Sequence, residues 1–492
     1  MDTRSRIFFP VVFFACAFFA AGCVQPLGPG FRFADRQTEI RVSEGTPGRI
    51  HFHVVDELEN AGDRPLHSLD VRLPEGSAFG AQNMSVQIDG VEISPQHSSA
   101  IDSRMMSAAF DPTWKRNEGR TIISEWDLMP ESSERGTIAA SADGFFIADE
   151  TALPLWQTPK SVFARGGSNP AKELLTIYAP QDFRVLAPGK PFKRDAKGAD
   201  GGEAGRRFLI DPDRDPLPYV VAGRYQEKVV RSRDGQVRFW TFQPLAGDMA
   251  QMAADRLSSS MKALTEFFGP VSSGEITVRI AESPVELAPE FGAIDDPGGV
   301  SFPEGALLDS RTFQQGIANE AVLQLTEYEL ARTWFGWRVR PTPAAQILMG
   351  RGAGLFGLVI AAENRGQDER RRMIASFLQR YDEAREIAPD RRLMEPPAGY
   401  SHDERISTGY RAALFFVALE DFCGRDNLKT ALRDIIHDRS GSDTSYEDLR
   451  AAAESASGKD LAEMFRVWLV QPGLPDEFRA RYRTKAQARL RN

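Results

Sequence analysis

The hydrophobic period of this chain changes once, and that change limits what it can fold into. From about residue 35 to 225, apolar residues fall in short segments such as 49–55, 69–73, 84–88 and 174–178, each bounded by turn formers. Asp89-Gly90 between two such runs is a strong hairpin signal. Residues 193–206, rich in Gly and charge, read as an exposed loop. From about residue 245 the period becomes helical. An amphipathic run at 249–268 ends at Gly269-Pro270, and a strand-like run follows at 275–280. After a Gly/Pro-rich stretch at 291–305 come helical runs at 317–334, 370–386, 409–422, 428–437, 446–455 and 460–469. A chain of 492 residues holds more than one core. The expected fold is α+β and multidomain. A β-sandwich or saddle covers 35–225, and a mostly helical domain covers 226–492, with the boundary near residues 223–225.

The first residues are of a different kind. Arg4 and Arg6 precede an apolar run at 7–21, too short for a confident membrane span, and Ala20-Ala21-Gly22-Cys23 follows. This predicts a secretory signal over 1–22. The small-small-Gly-Cys ending resembles the lipobox of bacterial lipoproteins. The resemblance implies a lipid on Cys23, a tether over 23–34 and a membrane-anchored protein of the cell envelope, on its periplasmic or outer-membrane face. Cys16 would leave with the signal, so Cys423 alone remains free and no internal disulfide is expected. A formal charge of -9 argues against a nucleic-acid partner.

The stretch that should carry chemistry is Tyr328-Glu329-Leu330-Ala331-Arg332-Thr333-Trp334-Phe335-Gly336. It resembles the His-Glu-Leu-Ala-His-Gln-Trp-Phe-Gly segment of the membrane alanyl aminopeptidase family, which are gluzincin metallopeptidases. In such a helix, two His at i and i+4 bind zinc from one face and the Glu is the general base. The family's third ligand is a Glu that follows the second His after 18 residues and precedes a Gly. Here that spacing ends at Arg351, followed by Gly352. The three ligand positions therefore hold Tyr328, Arg332 and Arg351. A guanidinium has no lone pair to offer a metal, and a catalytic zinc needs three protein ligands.

Other segments support the resemblance. Gly292-Ala293-Ile294-Asp295-Asp296-Pro297-Gly298 is similar to the family's substrate-edge motif, with Asp295 in place of the Glu that holds the substrate's amino group. The same residues also read as a Gly/Asp turn. Around Gly409, alignment puts Ile406 where the family has its transition-state tyrosine, and Tyr410 reads as a packing residue. Residues 456–475 look like the end of the family's catalytic domain, and its helical C-terminal domain is expected to be absent.

The resemblance implies a thermolysin-like catalytic-type domain from which only Glu329 of the catalytic set survives. The expectation is a zinc-free, inactive peptidase homologue that binds a peptide or protein partner. A guanidinium–carboxylate pair of Glu329 with Arg332 or Arg351 would replace the metal cluster. The alternative is a working aminopeptidase-type hydrolase with unconventional metal binding.

Overall fold

Along residues 32–42 and 50–59, buried and exposed side chains alternate, so each strand can bury one face. The computed structural model describes residues 31–482, apart from 43–48, 63, 73–80, 94–95, 98–104, 129–137, 148–154, 158–171, 193–204, 211–218, 272–274, 285–286, 288–298 and 398. The expected signal, Cys23, most of its tether and the motif at 292–298 lie outside the described residues, as does most of the 193–206 loop.

The N-terminal part is built on an eight-stranded sheet. Its order is Lys190–Phe192, Arg206–Ile210, Lys172–Tyr178, Arg32–Val42, Ile50–Glu59, Gly119–Leu128, Ala81–Ile88 and Val91–Ile93. Two four-stranded sheets complete it. One is centred on Val220–Gly223 and Gly144–Ile147, the other on Leu66–Arg72 and Met105–Trp114. Each shares an apolar cluster with the large sheet. Asp89 (φ 51°) and Gly90 (φ 80°) close the hairpin between Ala81–Ile88 and Val91–Ile93, as the Asp-Gly pair predicts.

The last strand of this part ends at Gly223, and the next, Gln226–Ser232, opens a different sheet. That five-stranded sheet runs Gln226–Ser232, Gly235–Thr241, Thr277–Glu282, Gly305–Leu308 and Gly299–Phe302, with the last on its edge. Helices pack around it into one large apolar cluster. Tyr219, Phe146 and Val221 from the N-terminal part meet Phe302, Leu307 and Trp337 from the second in a shared aromatic cluster. The Tyr219 ring stacks on Phe302 at 5.5 Å and meets Trp337 edge-on at 5.7 Å.

Several helix boundaries differ from the sequence reading, for identifiable reasons. The run at 317–334 shortens to Glu320–Ala331, because Asn319 caps that helix through the Ala321 amide, and a separate short helix, Ser310–Gln315, precedes it. The helix expected from 409 begins at His402, where Ser401 and Glu404 form a reciprocal capping box. Ala353–Arg365 was not legible as a helix. Residues 353–362 are all buried, which erases the amphipathic period. Together with its lead-in it is long and apolar enough to cross a membrane, but it lies mostly inside the core. It follows a π-helical turn, Gln346–Gly352, that carries Arg351. The last expected helix is Ala462–Phe465 continued by a second π turn, Arg466–Val470.

Buried Arg411 ties that C-terminal stretch to the helical core. It donates to the carbonyls of Trp468, Gln471 and Arg391 and pairs with Asp390 at 3.4 Å. Asp390 also accepts from the Tyr381 hydroxyl at 2.7 Å and the Gly473 amide at 2.6 Å.

Candidate functional site

Three elements converge where the motif spacing points. Glu320–Ala331 carries Tyr328 and Glu329, and Arg332 is its C-cap residue. The π turn before Ala353–Arg365 carries Arg351. His402–Cys423 carries Ile406, Gly409 and Tyr410. The helices approach closely because glycines face them. A Cβ on Gly354 would lie 2.9 Å from both Arg332 Cγ and Tyr328 Cε2, and one on Gly409 would lie 2.3 Å from Arg351 Nε. The Arg332 and Tyr328 side chains thus lie against Gly354, and the Arg351 guanidinium lies over the Gly409 backbone.

Within this convergence Glu329 is buried and bonded. Arg332 Nη1 donates to Glu329 Oε2 at 3.0 Å, one turn along the same chain segment. The carboxylate is 4% exposed and its partner 28%, so the pair points from the dry interior towards solvent. Burial raises the Glu329 carboxyl above its usual range, while Arg332, the Ser301 hydroxyl and the charge of Arg351 pull the other way. Burial also raises the Tyr328 phenol, opposed by Arg332 and Arg351. Burial lowers Arg351, and Arg332 and Arg405 add repulsion to that effect. The Arg332 guanidinium also sits 5.8 Å from the centre of the Tyr328 ring.

Two residues absent from the sequence reading support the site. Ser301 sits on the edge strand and is buried. Its Oγ accepts a hydrogen bond from Trp337 Nε1 at 3.0 Å. Through Trp337 the site is continuous with the aromatic cluster shared by the two parts. No local pattern announces either role, because each depends on contacts between distant segments.

The other motif positions fall as follows. Ile406 is half-buried and packs on the main core. Tyr410 is buried with its ring 5.2 Å from that of Phe377. Cys423 is buried and free. Gly292, Ala293, Ile294, Asp295 and Asp296 lie outside the described residues. Among the described residues, no three His, Cys, Asp or Glu side chains are grouped to hold a metal ion. His51 and His53 instead hydrogen-bond through Nδ1 to Asp127 at 3.0 Å and Glu125 at 2.6 Å.

No family model matches the sequence, and no curated protein matches it. Solved structures do match its fold. The M1 zinc metallopeptidase of Deinococcus radiodurans superposes with a TM-score of 0.65 at 17% identity, over 91% of this chain and 96% of that one. A glutamate-to-alanine mutant of that enzyme, bound to a Tyr-Ser-Ala substrate, gives 0.61 at 16% identity over the same shares. Legionella pneumophila aminopeptidase A, in complex with aspartic acid, gives 0.64 at 15% identity, over 91% of this chain and 50% of that one. The chain therefore has the two-domain fold of the M1 zinc metallopeptidases, with a sheet-rich N-terminal part and a helical C-terminal part.

Proposed function

We propose that this protein is a zinc-free, non-catalytic relative of the M1 peptidases that binds a peptide or protein partner at the former catalytic site. One observation carries the reading. Glu329, which stands where the family has its general base, is bonded to Arg332, which stands where the family has its second histidine. A guanidinium donates and cannot accept, so it cannot serve a metal, and Arg351 stands at the third position with the same chemistry. The donor set present does not fit zinc. Without a metal there is neither a Lewis acid nor an activated water for peptide hydrolysis. The signal-like start and Cys23 support placement at the cell envelope through a lipid anchor.

Retained Glu329 favours a second reading, a hydrolase working with an unconventional metal set. One preparation separates the two. The mature protein is incubated with excess zinc, desalted, and assayed for bound metal, for cleavage of aminoacyl arylamides and for binding to a peptide array. The proposal expects no retained zinc, no cleavage and selective peptide capture. Close to one zinc per chain, together with cleavage that Glu329→Gln abolishes, would overturn it.

A further inference from the structure

The inward face of the eight-stranded sheet carries three charged side chains where the fold otherwise places apolar ones. Arg36, Asp56 and Glu173 sit on neighbouring strands in register. Arg36 is the Cα partner of Asp56 on one side and of Glu173 on the other. Arg36 donates through Nε to Asp56 Oδ1 at 2.7 Å and through Nη2 to Oδ2 at 3.0 Å. All three are buried, Asp56 completely. They separate two apolar clusters along the strands. Ile40, Phe52, Val54 and Leu175 belong to the cluster shared with the sheet of Val220–Gly223, whereas Phe33, Leu58 and Ile122 belong to that shared with Leu69 and Trp114. With buried Thr38 and Ser124, the triad forms a polar seam between the two halves of the N-terminal part.

The charge pattern of the seam is lopsided. A buried arginine stays charged, and Asp56, bonded to it by both oxygens, is its counter-ion. A second carboxylate, set beside that guanidinium by the strand register, keeps the seam neutral only while it holds its proton. Burial pushes the Glu173 carboxyl up to about 7, with Arg36 pulling down and Asp56 adding to the rise. Arg36 and Asp56 are the charged groups that act on it among the described residues. Its Cα partner on the strand beyond is Ile210, and its chain neighbour Lys172 is exposed on the opposite face.

We propose that Glu173 is a proton switch built into the N-terminal part. Loss of its proton sets two carboxylates against one guanidinium in a dry seam and loosens the contact between the two halves. The folded-state value lies above that of the unfolded chain. The stabilisation is therefore full below the unfolded value and is lost as pH rises through the folded one. Linkage between an ordinary Glu and one at about 7 makes opening about tenfold more frequent at pH 8 than at pH 6.

Hydrogen–deuterium exchange on the full mature chain reads this, once the intrinsic pH dependence of exchange is divided out. Peptides covering Arg32–Val42 and Lys172–Tyr178 are expected to lose protection about tenfold over that interval, while those covering Thr277–Glu282 do not. Glu173→Gln, which keeps the shape and cannot ionise, is expected to be flat. A flat wild-type profile overturns the proposal, and so does an unchanged rise in Glu173→Gln. If that variant fails to fold, the wild-type profile still decides, because the switch requires a midpoint near neutrality confined to the seam strands.

Discussion

Replacing Arg332 by leucine removes the guanidinium from a carboxylate that is 4% exposed and leaves most of the side-chain volume against Gly354. Breaking a buried ion pair by removing one partner costs about 3–5 kcal/mol, because the remaining charge is uncompensated. Here the lost partner was 28% exposed, and water reaching the gap screens the carboxylate. The expected cost at pH 8 is therefore about 2–3 kcal/mol. In a domain of this size that lowers Tm by about 4–12 °C. The sign of the pH dependence follows from Glu329, whose carboxyl already sits above its usual range through burial. Without Arg332 it rises further, so the variant's deficit is small in acid, where the group is protonated in both states. The deficit grows as pH rises from the ordinary carboxylate range through the raised folded value. Below the ordinary carboxylate range, where the group is protonated in the folded and unfolded chain alike, only a hydrogen bond is missing, worth about 1 kcal/mol. The double variant Glu329→Gln with Arg332→Leu removes both charges of the pair and is expected to regain most of the loss. Urea unfolding of wild type, both single variants and the double at about pH 4 and pH 8, on either side of the ordinary carboxylate range, closes the cycle. Equal costs at both pH values, or a coupling below about 0.5 kcal/mol, would show that the pair is a surface contact rather than a substitute for the metal cluster.

Restoring the family's donors with Tyr328→His, Arg332→His and Arg351→Glu is expected to create a zinc site, because the backbone spacing persists; one zinc per folded chain by metal analysis is the readout, and a folded variant that binds none counts against preserved geometry. Arg256→Ala removes a two-point contact with fully buried Glu327 at 3.0 Å to each oxygen, leaving Arg365 at 2.8 Å and Ser260 at 2.6 Å. The expected loss is about 2–4 kcal/mol by chemical denaturation, because Arg365 retains part of the compensation. Gly352→Val places a Cβ 2.6 Å from that of Ala412 and 3.0 Å from its backbone, so the two helices must part. A loss of at least about 1–3 kcal/mol in thermal unfolding is expected, and an unchanged Tm would mean that the helices are not in contact there.

The sequence by itself determined the features that depend on local order. The switch from strand to helical period placed the sheet-rich part before the helical one, and Asp89-Gly90 specified its hairpin because both residues tolerate positive φ. The spacing of Tyr328, Arg332 and Arg351 pointed to three positions that the fold does bring together. Tertiary structure decided what those residues do. The helix stops at Ala331, which makes Arg332 a cap residue whose guanidinium reaches back to Glu329, while Arg351 lies over Gly409 on another helix. Ser301 and Trp337 join the site only because an edge strand and a loop meet there. The helix Ala353–Arg365 was hidden because a segment buried on every side has no polar face to reveal its period. The Arg36–Asp56–Glu173 seam could not be read from sequence at all. Charged residues inside a strand pattern look like its solvent face, and only the pairing of three strands distant in the chain turns them inward together.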